Sequence, residues 1–145
     1  MINFSARGSG AAAAEPPERG GLRVLLVEDN SINILVATGL LRRYGCDVEV
    51  AGDGKSGVEK VLTQNYDLVL MDLHMPTMDG YEATRAIRAA EATRNKRTPI
   101  VAITATSIEE ARQRCISVGM DGYINKPFRA QHVVELIAEY SPVPH

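Results

Sequence analysis

The sequence predicts an α/β domain, a doubly wound parallel sheet of five strands carrying five helices. Two observations lead there. From Leu22 onward, short apolar runs, RVLLV (23–27), DVEVA (47–51), DLVLM (67–71), PIVAI (99–103) and GYIN (122–125), alternate with stretches of helical period. Three of the runs are nearly unbroken apolar residues, the pattern of strands covered on both faces. Strict alternation of strand and helix then places parallel strands in one sheet with the crossovers packed on its two faces.

Each element has its own signal. Residues 1–21 carry ARGSGAAAAEPPERGG, which offers almost nothing to bury, so this segment is expected to be a flexible linker or an appended tail outside the fold. The helix over 31–44 carries Ile32, Leu35, Val36, Leu40 and Leu41 at helical spacing, closes with Arg42 and Arg43, and stops at Gly45. Shorter helices fit 55–65 and 80–90. Ser107-x-x-Glu110 has the form of a capping box and opens a helix that runs to Gly119. Val133, Val134, Leu136, Ile137 and Tyr140 mark the last amphipathic helix, so the domain is expected over 22–140, with 141–145 as a short tail.

Composition narrows the function. A length of 145 residues suits one domain, and 45% hydrophobic with 23% charged residues is a globular balance. A net charge of −2 without a basic run gives no footprint for nucleic acid or an anionic membrane. The apolar runs are strand-sized, shorter than the roughly 20 residues of a membrane helix, and the N-terminus lacks the order of a signal peptide. Cys46 and Cys115 sit within apolar patterns and read as small buried hydrophobes of a reducing cytoplasm.

The chemistry collects at the strand ends. Glu28 and Asp29 follow the first strand, Asp72 the third, Thr104 the fourth and Lys126 the fifth. Singly each is ordinary, because an acid after a strand commonly caps a helix and Thr104 passes for a strand residue. Together they belong in the crevice outside the carboxyl ends of the strands, where ligands of open parallel sheets bind. Three carboxylates in one crevice raise one another's pKa unless a cation compensates. Magnesium suits oxygen ligands with few protein groups, and manganese is an acceptable substitute. Zinc does not fit, since His74, His132, His145 and the two cysteines lack ligand spacing. A cation, a lysine and a hydroxyl around one carboxylate make a cradle for a phosphoryl group carried on that carboxylate.

VLLVEDNSIN (24–33), DLVLMDLHMPTMDGYEATRAIR (67–88), TPIVAITA (98–105) and GMDGYINKPF (119–128) resemble the receiver domain of two-component response regulators, and most closely the receivers of hybrid sensor histidine kinases, where the EDNxxN opening is common. The resemblance covers Leu22 to about Tyr140. It implies the flavodoxin-like (CheY-like) fold with strand order 2-1-3-4-5, magnesium, and phosphorylation of one Asp by a phosphohistidine donor. By this resemblance Asp72 is the phosphoacceptor. Asp29 ligates the metal directly, Glu28 through water, and His74 lends its backbone carbonyl. Thr104 is the switch hydroxyl, Lys126 pairs with the phosphoryl group, and the Lys126–Pro127 bond is cis. Tyr123 is the aromatic switch, expected to turn from solvent into space that Thr104 vacates. A histidine kinase or histidine-phosphotransfer domain is the implied partner, docking over Ile32, Asn33, Val36, Pro127 and Phe128.

Two rivals share the fold. An Asp-nucleophile phosphatase commonly has a second acid two residues after the nucleophile, where this chain has His74. A flavin or nucleotide module needs a glycine-rich first turn, where this chain has the acidic EDNS. The expectation is therefore a phosphoacceptor that catalyses its own phosphorylation and dephosphorylation, excised from a hybrid kinase or standing alone as a single-domain regulator. It is expected to be cytoplasmic and monomeric in isolation, without nucleic acid or membrane contact of its own, whether or not a parent chain carries a membrane anchor.

Overall fold

The computed structural model describes residues 1–4 and 21–141 of the chain. In chain order the elements are β1 (Ile2–Asn3), β2 (Arg23–Val27), α1 (Ser31–Arg43), β3 (Asp47–Ala51), α2 (Gly54–Thr63), β4 (Leu68–Asp72), α3 (Gly80–Glu91), β5 (Ile100–Thr104), α4 (Ile108–Val118), β6 (Gly122–Asn125) and α5 (Ala130–Tyr140). The sheet order is β1-β6-β5-β4-β2-β3. The pairings β2–β3, β2–β4, β4–β5 and β5–β6 are parallel, and β1 joins β6 antiparallel. Without β1 the five parallel strands have the expected order 2-1-3-4-5. Order reverses at β2, which has β3 on one side and β4 on the other.

β4 and β5 are buried along their whole length, as their unbroken apolar runs required. One core cluster holds Val69, Met71, Ile87, Ile100, Cys115 and Tyr123, and the cluster on the other face holds Val24, Leu26, Leu41, Leu70, Ile124 and Leu136. Cys46 and Cys115 are free and buried, as expected.

The structure corrects the sequence reading in three places. The first four residues are part of the fold: β1 pairs with the outer edge of β6, and Ile2 and Phe4 pack against the core, since an edge strand offers free hydrogen-bonding groups to any extended segment with apolar side chains. The linker expected over the remainder of that segment falls on 5–20, and the terminal tail on 142–145, both outside the described residues. The apolar stripe of α1 is only partly core. Leu41 and Ala37 are buried, while Ile32, Leu35 and Val36 are 70%, 73% and 46% exposed, because they share with Gly39 and Arg43 the outer face of the helix, opposite the face of Ile34, Ala37, Thr38 and Leu41 that meets the sheet. Finally, Ser107 precedes α4 but its side chain caps nothing, the Glu110 amide being held by the Ser107 carbonyl at 3.1 Å. The capping box occurs instead on α3, between Asp79 and Glu82.

At the amino ends of β5 and β6, Asp121 gathers charge and backbone together. It accepts from Arg88 Nη2 at 3.0 Å, Arg97 Nη2 at 2.8 Å and the Ile100 amide at 2.9 Å. Arg88 also donates to Glu91, Thr98 O and Gly119 O. The charged groups of this buried junction are all paired, which a buried ionic network requires.

Candidate functional site

The site lies at the carboxyl ends of β2, β4 and β6, beside the reversal of strand order. β2 delivers Glu28 and Asp29 into the turn before α1, where Asn30 caps the helix by accepting from the Ile32 and Asn33 amides, both at 3.0 Å. β4 ends on Asp72. Its backbone is pressed by Gly80 at the start of α3, where any Cβ would stand 2.3 Å from the Asp72 carbonyl oxygen. Glycine at this position is a packing requirement. Lys126 arrives from the loop after β6, with its peptide bond to Pro127 cis as the resemblance implied.

These side chains converge. Glu28, Asp29 and Asp72 each place a carboxylate oxygen within 4.8 Å of the others. Lys126 Nζ stands 3.1 Å from Glu28 Oε1 and 3.3 Å from Asp72 Oδ1. Glu28 and Asp72 are buried, and Asp29 is exposed at the rim. Together with Asn30, Ser31, Asn33 and His74 they line an open cleft of about 560 Å³. The Asp72 carboxyl is pushed up to about 7, first by burial and then by the hydrogen bond and charge of Glu28, with Lys126 pulling the other way. An all-oxygen set with surplus negative charge on an open cleft fits a hard divalent cation that keeps several waters. Glu28, Asp29 and Asp72 are the side chains able to hold it.

Thr104 is fully buried at the end of β5, one step beyond the Asp72–Ile103 pairing, and its Oγ1 accepts from the Thr106 amide at 3.0 Å. It adjoins the cleft without lining it. His74 is exposed, with its amide 3.3 Å from Asp72 Oδ1 and its ring Nε2 2.6 Å from Thr106 Oγ1. Tyr123 departs from expectation. Its ring is turned inward and only 3% exposed, its hydroxyl donates to the Thr106 carbonyl, and it accepts from Asn125 Nδ2 at 2.9 Å. Burial raises its pKa, keeping the phenol a donor.

Asn33, Val36, Pro127 and Phe128 come together around a smaller cavity of about 100 Å³ that also meets Glu28 and Lys126. Ile32 is exposed beside it. Phe128 is 8% exposed and stacks on His132, so it belongs as much to the core as to the surface. Thr106 was not singled out from sequence, although it binds His74, Thr104, Tyr123 and Asn125. Its only sequence signal is a hydroxyl two positions past a strand end.

With this geometry in place, comparison with known proteins gives the class. Residues 24–138 match the response regulator receiver domain family, and the chain belongs to that family. It is 34% identical over 155 residues to probable histidine kinase 1 of Oryza sativa subsp. indica, covering 87% of this chain and 16% of that protein. Among solved structures it is similar to the receiver domain of sensor histidine kinase PA1611 from Pseudomonas aeruginosa, which has a magnesium ion coordinated in its active site cleft. That similarity has 40% identity and a TM-score of 0.74, over 83% of this chain and 97% of the other. It is also similar to the complex of the Saccharomyces cerevisiae histidine phosphotransfer protein Ypd1 with the receiver domain of Ssk1, at 28% identity and a TM-score of 0.77, over 86% of this chain and 91% of that one. Among the described residues, no helix is long and apolar enough to cross a membrane.

Proposed function

We propose that this domain is the magnesium-dependent phosphoacceptor of a phosphorelay, with Asp72 as the residue that carries the phosphoryl group. One observation supports this above the rest: a single lysine, Lys126, bridges Asp72 and Glu28 in a cleft that gathers a third acid, Asp29. Asp29 and Asp72 are the residues to hold the metal directly, Glu28 through water, and His74 through its backbone carbonyl. The ion, when bound, neutralises charge on the transferring group. Asp72 supplies the attacking oxygen. As its bond to phosphorus forms, the phosphorus–nitrogen bond of a phosphoimidazole breaks and the electron pair stays on the imidazole. Lys126 then sits within reach of the oxygens that gain charge. Thr104 and Tyr123 report the new group to the β5–α4 loop through Thr106.

The donor is a histidine kinase or a histidine-phosphotransfer domain, docking on Ile32, Asn33, Val36, Pro127 and Phe128. The parent is read as a hybrid sensor histidine kinase, because the relatives are histidine kinases, and its setting as the cytoplasm, in keeping with the free buried thiols of Cys46 and Cys115. The test is labelling with acetyl phosphate and magnesium. The chain should take up one acid-labile phosphate and Asp72→Asn none; equal uptake by both would overturn the assignment.

A further inference from the structure

Among the described residues, the outer edge of β6 is where the fold uses a segment that the alternating pattern does not supply. Ile2 pairs with Tyr123 and Asn3 with Gly122, and the Phe4 amide donates to the Asp121 carbonyl at 2.8 Å. Ile2 and Phe4 pack on the same core cluster as the Tyr123 ring, and the guanidinium of Arg112 on α4 lies 5.9 Å from the centre of the Phe4 ring. Met1 packs on the other cluster, with Leu136 and Tyr140 of α5. Four residues therefore lie across α4, β6 and α5 at once. Gly122 makes room for them: a Cβ there would come within 3.0 Å of the Ile2 carbonyl oxygen.

The strand that this segment joins carries Tyr123. From the Tyr123 hydroxyl, hydrogen bonds run to the Thr106 carbonyl, and from the Thr106 amide to Thr104 Oγ1, at the end of the strand beside Asp72. A two-residue strand on a sheet edge belongs to the least stable part of a fold, so its attachment and release are a low-cost equilibrium. Strand addition at an open edge is also how extended segments are generally bound.

We propose that the β6 edge is a binding surface for an extended apolar segment, and that its occupant, Met1–Phe4, is a regulatory strap that holds Tyr123 inward and favours phosphorylation of Asp72. The inference rests on the Asp72 acceptor reading and adds to it a control from the amino-terminal segment. Because coupling between two sites is reciprocal, a phosphoryl group on Asp72 tightens the strap by the same factor that the strap strengthens the site.

The experiment uses beryllofluoride with magnesium as a mimic of the acyl phosphate on the whole 145-residue chain. Ile2→Asp removes an apolar contact, and Phe4→Pro removes both a ring and the amide that bonds Asp121. Both should expose the Tyr123 ring by NMR and weaken mimic binding on the order of fivefold, the lower range of ordinary coupling. In the unsubstituted chain, saturation with the mimic should slow hydrogen exchange at the Phe4 amide by a similar factor. This needs no variant and stands even if the substitutions unfold the edge. Equal affinity in all three chains, or unchanged Phe4 exchange, overturns the strap. No mimic binding in the unsubstituted chain overturns the acceptor reading and the strap with it.

Discussion

The ammonium of Lys126 lies as close to Glu28, at 3.1 Å, as an ion pair normally stands, and both groups are largely shielded from water. Lys126 is thereby held by an acid that does not react while it faces one that does, at 3.3 Å. The pairing fixes the ammonium before any phosphoryl group arrives, so little reorganisation is needed when charge develops.

Replacing Lys126 by Met should therefore spare the fold's outline and damage the chemistry. Labelling of Asp72 by acetyl phosphate should slow about a hundredfold, the usual scale for removing one preorganised charge stabiliser. The rate of acid-labile phosphate formation checks this. An unchanged rate would leave Lys126 a structural counter-ion only.

Asp72 makes stability depend on pH in an unusual direction. Its pKa in the folded protein is raised to about 7 from 3.8, so between these values the folded state holds a proton that the unfolded chain has lost. Stability from this site therefore falls as pH rises through that window, is unaffected below it, and stays at its low level above it. Without magnesium, Asp72→Asn should remove this component and melt a few degrees above the unsubstituted chain at and above neutral pH. Melting curves in chelator across the window decide it. Identical pH profiles for the two chains would mean that the carboxyl is not raised.

Gly80 ties α3 to the acceptor. An added Cβ would stand 2.3 Å from the Asp72 carbonyl oxygen and 2.9 Å from Leu73 Cα, and neither backbone atom can retreat without moving β4. Gly80→Ala should cost about 1–3 kcal/mol in urea unfolding, typical of overpacking. It should also slow labelling of Asp72 in the fraction that remains folded. A variant as stable and as reactive as the original would show that α3 shifts freely.

Docking can be separated from chemistry on α1. Val36 is 46% exposed beside the cavity that Asn33, Pro127 and Phe128 share. Val36→Asp should slow phosphoryl transfer from a histidine-phosphotransfer protein on the order of tenfold, the scale of one interface anchor. Labelling by acetyl phosphate should stay as it was. Equal loss in both assays would point to damage of the fold. Phe128 is a poorer probe because it is mostly buried.

The parallel sheet and most of the site were legible because they depend on local, repetitive signals. Unbroken apolar runs announced β4 and β5, and the polar residues ending each run announced Glu28, Asp72, Thr104 and Lys126. What escaped depends on contacts distant in sequence. β1 is two residues long and has no periodicity, and only the free edge of β6 gives it a partner. Ile32 and Leu35 lie on the face of α1 opposite Ala37 and Leu41, and with apolar residues on both faces the spacing alone does not say which face meets the sheet. The inward Tyr123 depends on acceptors at Thr106, a loop residue without a motif of its own.

The junction at Asp121 gives the sheet one anchored end. With Arg88, Arg97 and the Ile100 amide all fastened to a single carboxylate, the feet of β5 and β6 are locked together far from Asp72. From there β5 runs paired on both sides, with β4 as far as Asp72–Ile103 and with β6 as far as Thr104–Asn125, so the strands reach the acceptor as one rigid ribbon. The pairing stops where the loops that carry Thr106 and Lys126 begin, and those loops are what meet the acceptor's surroundings. The fold thus keeps its charged anchor and its reactive carboxylate at opposite ends of the same strands, and what stands at Asp72 meets a scaffold already fixed from below.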